Sequence, residues 1–217
     1  MFTRIAPRYD LMNRLMTGGQ DRRWRKEVIR RASLSPGAHL LDLGTGTGDL
    51  AYQALAQTPG CQVIAADFTL AMMRQGQQRG VPDLLWSAAD ALQLPFACST
   101  FDAVVSGFLL RNVVDLPRAL AEQRRVLKPG GYWVALDTTR PRRSILSPLI
   151  NFHMHRTIPC LGHLLTGQAD AYSYLPDTTA SFLRAEELVA HLAAAGFRQV
   201  GFHRLMFDSV AIHWARK

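Results

Sequence analysis

Acidic residues are scarce in this 217-residue chain: 17 Asp and Glu stand against 25 Lys and Arg, a formal net charge of +8. That balance fits a nucleic acid, an anionic membrane surface or an acidic ligand as partner. Cysteine occurs only at Cys61, Cys98 and Cys160, never as C-x-x-C, which indicates neither a disulfide framework nor a zinc site and leaves packing as the role of all three. No apolar run approaches the ~20 residues that span a bilayer. The opening MFTRIAPRYD sets arginines and an aspartate where a signal peptide carries its apolar core, so the expected location is cytosolic. No RNP1-type stacking motif accompanies the positive charge, so RNA binding has charge on its side and nothing else.

What is present is a core: 48% of the residues are apolar, enough for one α/β domain over residues 1–217. The N-terminal 34 residues read as two helices, 4–16 and a very basic 21–32, broken at Gly18-Gly19. Strands are expected at 38–43, 62–66, 84–86, 101–106 and 132–138, alternating with helices up to 57 and over 70–79 and 115–127. Lys128-Pro129-Gly130-Gly131 is read as the break between the last of these helices and its strand. Strands alternating with helices predict a mostly parallel, doubly wound sheet. Residues 142–182 break the pattern and are read as an insertion; a helix over 184–195 and strands over 197–205 and 210–214 follow, the strands as an antiparallel pair at the sheet edge.

The chain is organised around Leu40–Ala51, LLDLGTGTGDLA: an apolar strand, an acid, then glycines at 44, 46 and 48 before a helix. Glycine suits a turn with φ above zero that a ligand approaches closely, and a new helix offers free N–H groups. A dinucleotide fingerprint wants G-x-G-x-x-G, whereas here the third glycine arrives one residue early and Asp49 takes its place. The spacing G-x-G-x-G behind Asp42 instead resembles motif I of class I S-adenosylmethionine-dependent methyltransferases. An acid near the ammonium and sulfonium of that cofactor is chemically sensible. Thr47 can donate a hydroxyl from within the turn.

Asp67 closes the second strand 23 positions after Gly44, where its two oxygens can accept both ribose hydroxyls. Asp90-Ala91 follows the third strand, a carboxylate for an adenine amino group beside a side chain small enough to leave room for the ring. The fourth strand runs through Gly107 into Arg111-Asn112, at the carboxyl end of the sheet where such folds bind ligands. An arginine there is costly to bury unless paired. Absent at this place is D/N-P-P-Y/F/W, which marks methyltransferases acting on exocyclic amines of bases. A Tyr-x-x-x-Lys suited to a nicotinamide dehydrogenase is missing as well.

The segments MFTRIAPRYDLMNRLM, ALQLPFACSTFDAV, LRNVVDLPRALAEQRRVLKPGG, IPCLGHLLTG and AYSYLP, and VAIHWARK, with the glycine motif, resemble the ubiquinone/menaquinone biosynthesis C-methyltransferases (the UbiE/MenG family) over nearly the whole chain. The resemblance implies a seven-stranded Rossmann-like sheet and methyl transfer from S-adenosylmethionine to a ring carbon of a polyprenyl quinol. Asp42, Gly44, Gly46, Thr47, Asp67, Asp90, Ala91 and Gly107 would lie along the cofactor, with Arg111 and Asn112 at the acceptor. Arg111 would stabilise a developing phenolate and Asn112 orient a ring oxygen. The family usually has asparagine at the position of Asp90, serine at Gly107 and F-G-L-R-N where this chain has Phe108-Leu109-Leu110-Arg111-Asn112. Its strand-five ending, often E-F-S-R-P, is Asp137-Thr138-Thr139-Arg140-Pro141 here. A lipophilic quinol also implies contact with anionic membrane, for which the basic helix 21–32 is the natural face, and apolar residues of the insertion would cover the tail. A homodimer is left open. The alternative is methylation of another small aromatic metabolite, ahead of an RNA substrate.

Overall fold

The computed structural model describes residues 17–82, 84–141 and 182–217. The expected helix 4–16 and nearly all of the 142–182 insertion lie outside these. The described elements are α1 (Asp21–Ala32), β1 (His39–Leu43), α2 (Asp49–Gln57), β2 (Gln62–Asp67), α3 (Leu70–Gln77), β3 (Leu84–Ala88), β4 (Phe101–Gly107), α4 (Leu116–Val126), β5 (Leu127–Thr138), α5 (Ala185–Ala194), β6 (Arg198–Leu205) and β7 (Val210–Arg216), with a short 3₁₀ turn at Leu110–Asn112.

The strands form one seven-stranded sheet in the order β3-β2-β1-β4-β5-β7-β6. The five strands β3, β2, β1, β4 and β5 pair in parallel; β7 runs antiparallel to both β5 and β6. β1 and β4 are apolar almost without alternation because helices cover the sheet on both faces. On one face α1 and α2 pack Trp24, Val28, Ile29, Leu50 and Ala54 against Leu40, Val63, Ala103 and Val134. On the other, Leu120 and Val126 of α4 and Leu188 and Leu192 of α5 meet Leu41, Leu43, Val104 and Trp133. From β1 the chain winds outward through β2 to β3, then returns to place β4 on the opposite side of β1. The carboxyl ends of β1 and β4 therefore diverge into a crevice, the usual ligand position in such sheets.

Several boundaries differ from expectation: β7 runs on to Arg216, α3 stops at Gln77, and two others bear on the sheet. The Lys128–Gly131 segment does not separate a helix from a strand: α4 ends at Val126 and β5 begins at once, with Phe101 opposite Leu127 and Ala103 opposite Tyr132. Asp102 alone therefore faces the four residues 128–131, which bulge out of the ladder. Its carboxylate accepts from the Lys128 ammonium and from the His39 N–H, each at 2.8 Å, so the bulge is tied to β1 as well. The third strand also extends to Ala88, two residues past the expected Trp86, because it pairs with β2 as far as Asp67.

Candidate active site

The crevice is a cavity of about 430 Å³ lined on one side by Gly44, Gly46, Asp67, Phe68, Met72 and Asp90–Leu92, and on the other by Gly107–Leu109 and Asn112–Val114. Of the ten residues singled out from sequence, Gly44, Gly46, Asp67, Asp90, Ala91, Gly107 and Asn112 line this cavity. Asp42 and Thr47 line a smaller adjoining space of about 40 Å³ behind the glycine turn, shared with Arg25, Asp49 and Leu50. Arg111 is not among the lining residues of either space.

The turn is built as its glycines require. Gly44, Gly46 and Gly48 have φ of 68°, 58° and 88°, a left-handed conformation at every second residue. The first of them also meets the opposite wall: a Cβ on Gly44 would come within 2.8 Å of Leu109 Cδ1. Gly48 answers to packing instead, since a Cβ there would meet Trp86 at 2.9 Å and Tyr52 at 3.0 Å. Two carboxylates hold the turn in place. Asp67 accepts the Gly46 N–H (2.8 Å) on one oxygen and the Thr69 N–H (2.7 Å) on the other, so it joins the ends of β1 and β2. Each of those oxygens keeps a second lone pair for a ligand hydroxyl.

Asp42 is fully buried; one of its oxygens accepts from the Thr45 hydroxyl (2.6 Å) and the Ala51 N–H (3.0 Å). The other has no hydrogen-bond partner. Burial pushes the Asp42 carboxyl up to about 7, against the pull of the Thr45 and Ala51 bonds, and the nearby negative charges of Asp67 and Asp49 add to the rise. A buried carboxylate with an empty oxygen is a place for positive charge, whereas Asp49 beside it is already paired with Arg25 at 3.2 Å and Arg79 at 2.8 Å. Asp90, by contrast, is exposed and accepts the Leu92 N–H at 2.9 Å, a local turn that leaves the carboxylate at the mouth.

On the far wall, Phe108 leaves β4 with φ of 59°, a strained value for an aromatic residue, and the 3₁₀ turn follows. Here the expectation for Arg111 needs correction. Its side chain is only 4% exposed, and its guanidinium donates to Asp137 Oδ1 at 3.0 Å rather than reaching into the cavity. A buried arginine forms its ion pair where a buried acid is available, and Asp137 at the end of β5 is that acid. Asn112 is the member of the pair that faces the crevice; its Nδ2 donates to the Phe108 carbonyl at 3.1 Å. Phe68 and Met72 also line the site from outside any motif, and Leu109 and Val113 line it from within the family-like segment after β4. Of the two outside a motif, Phe68 has a readable signal, lying next to the strand end that Asp67 marks, and Met72 has none.

The donor set discriminates between cofactors. Among the described residues no Lys, Arg or His lines the larger cavity, whereas Asp67 and Asp90 do. Such a wall repels a pyrophosphate and suits a nucleoside attached to a cationic, amino-acid-like end, as in S-adenosylmethionine. The unpartnered oxygen of Asp42 behind the glycine turn is consistent with the same group.

Comparison with known proteins leads the same way. A ubiquinone/menaquinone biosynthesis C-methyltransferase UbiE from Desulfotalea psychrophila is 45% identical over 219 residues, covering 100% of this chain and 89% of that protein. A demethylmenaquinone methyltransferase from Thermus thermophilus is 42% identical over 217 residues, covering 98% of each. Among solved structures, a SAM-dependent methyltransferase from Aquifex aeolicus superposes with a TM-score of 0.66 at 18% identity, covering 95% of this chain and 97% of that one, a likeness of fold. The family model described as the ubiE/COQ5 methyltransferase family matches residues 1–217, and the chain belongs to that family.

Proposed function

We propose that this protein transfers the methyl group of S-adenosylmethionine to a ring carbon of a prenylated quinol, demethylmenaquinol or a ubiquinol precursor. The observation that carries this reading is the crevice itself: acids on the nucleoside side, apolar and amide groups on the other, and no cation within it among the described residues. When bound, S-adenosylmethionine supplies a methyl group activated on a sulfonium. Asp67 would hold the ribose hydroxyls, Asp90 and Ala91 the adenine edge, and the Gly44–Gly46 backbone with Gly107 the middle of the cofactor. Asp42 and Thr47 would serve its charged amino-acid end.

On the acceptor side Asn112 keeps its amide oxygen free of the bond its Nδ2 makes to Phe108, so it can accept from a ring hydroxyl and orient the carbon beside it. Leu109 and Val113 would shield that carbon from water. Alignment of this kind accounts for ~7–11 kcal/mol of barrier lowering in well-oriented reactions. The apolar rim suits a prenyl tail: Phe68 is 79% and Val114 92% exposed at the mouth. Arg22, Arg23, Lys26 and Arg30 project from α1 into solvent, a face suited to anionic lipid at about 1 kcal/mol per basic residue.

The deciding experiment is turnover of S-adenosylmethionine with demethylmenaquinol, followed by mass spectrometry of the quinol. A gain of one methyl group on the ring supports the proposal; no product with any prenylated quinol, alongside normal cofactor binding, would point to another small aromatic acceptor. Asn112→Ala is expected to lower kcat about 10- to 100-fold with cofactor affinity retained. Co-sedimentation with liposomes should depend on anionic lipid and weaken when Arg22, Arg23 and Lys26 become Gln.

A further inference from the structure

We propose that Asp137 is a positioning residue for methyl transfer, its carboxylate fixing the 108–113 turn that makes one wall of the crevice. The carboxylate is 2% exposed and sits at the end of β5, which is paired on both sides by β4 and β7. Oδ2 accepts the Leu110 N–H at 2.7 Å and the Arg111 N–H at 3.4 Å; Oδ1 accepts the Arg111 guanidinium at 3.0 Å and the Thr138 N–H at 2.7 Å. These donors include the first N–H groups of the 3₁₀ turn, which has no side-chain cap of its own. The turn needs an external anchor, since it is three residues long and starts from the left-handed Phe108.

The anchor matters because the turn has no slack against the cofactor side. Leu109 is seated so closely on Gly44 that a single added carbon would touch it at 2.8 Å. Any drift of the turn therefore moves Leu109 across the glycine floor and Asn112 away from the reacting carbon. Arg111 belongs to the same device: its charge favours the ionised form of the buried Asp137, and its guanidinium lies 5.0 Å above the Phe108 ring at the start of the turn. Burial pushes the Asp137 carboxyl up, and Arg111 offsets part of that rise. A rigid central strand thus lends its order to a loop that carries an acceptor-side residue.

Asp137→Asn tests this, since it keeps size and one acceptor oxygen but loses the charge and turns an NH₂ toward the donors. The kinetic arm rests on the quinol reading; hydrogen exchange of a peptide spanning residues 108–113 and calorimetry with S-adenosylhomocysteine do not. The expected result is exchange at Leu110 and Arg111 faster by about tenfold. The kcat with demethylmenaquinol should drop about 100-fold, cofactor affinity should change little, and Asp137→Glu should recover part of kcat. Unchanged exchange, unchanged kcat, or cofactor affinity falling as far as kcat would each overturn the assignment. Should Asp137→Asn fail to fold, Arg111→Gln keeps both backbone bonds to Asp137. A partial loss of protection with a matching partial fall in kcat is then expected, and abolished turnover with protection intact would give the direct role to Arg111 and overturn the assignment. If the wild type methylates no quinol, the substrate reading falls, while exchange and calorimetry still decide on the turn.

Discussion

Asp67 and Arg111 show what residue-level reading of the sequence could and could not reach. Both are marked by their place at or beyond the carboxyl end of a strand, and that placement is real for each. Asp67 lies on β2 at the crevice, and a strand end settles where its short side chain goes. Arg111 has a long side chain on an irregular turn, and proximity in sequence says nothing about direction; only Asp137, brought alongside by the β4–β5 pairing, decides it. Asp67→Ala should weaken S-adenosylmethionine binding about 10- to 100-fold, the loss of one charge-assisted bond at about 1.5–3 kcal/mol, as read by calorimetry. It should also lower stability, because the Gly46 and Thr69 N–H groups lose their acceptor. Gly44→Ala adds a contact at 2.8 Å from Leu109 to a φ of 68° that costs about 1–2 kcal/mol for any other residue, so weaker cofactor binding and a lower Tm are both expected. With the Asp42 carboxyl near 7, a cationic ligand beside it should drive off a proton. Binding enthalpies at pH 7 should therefore depend on the ionisation heat of the buffer, and Asp42→Asn should remove that dependence.

At the level of elements, the alternation of apolar runs and helices was legible almost to the residue where both ends carry a stop signal, as in α1 and β1. It failed at Lys128–Gly131 because a proline and two glycines look the same in a loop and in a bulge, and only the partner strand distinguishes them. Asp102, which makes the bulge tolerable, stands 26 residues upstream and has no local signature. The antiparallel end of the sheet was legible from alternation in Val210–Trp214, though its insertion of β7 between β5 and β6 was not. α4 carries its own start signal: Asp115 accepts the Arg118 N–H at 3.0 Å, and Pro117 sits in the first turn. Asp115→Ala should cost about 1 kcal/mol, which thermal denaturation would register as a fall in Tm of about 2–4 °C.

For the whole molecule, two buried groups bend stability with pH in opposite senses. His213 stacks on Phe202, donates to or accepts from nothing at Nδ1, and is held neutral by burial, which pulls it down to about 4. Unfolded, it takes up a proton near 6.5, so the stability present above that pH is lost as pH falls toward 4. Asp42 works the other way: raised to about 7, it favours the fold below the ordinary carboxylate range, and that contribution is lost as pH rises through 7. Across pH 4–6.5 the two slopes nearly cancel. Against the wild type, His213→Gln should gain stability toward acid by about 1.4 kcal/mol per pH unit, and Asp42→Asn should lose a similar amount, as measured by urea unfolding between pH 4.5 and 6.5. The order of the sheet has a different consequence. β6 is made before β7 but docks outside it, so a nascent chain that has emerged only as far as β6 holds an open β5 edge and a strand with no place to pair. Until residues 210–216 leave the ribosome, Val134 and Leu136 lack the cover that Ile212 and its neighbours provide. That interval is when this polypeptide is most exposed to mispairing with other chains and most dependent on chaperones.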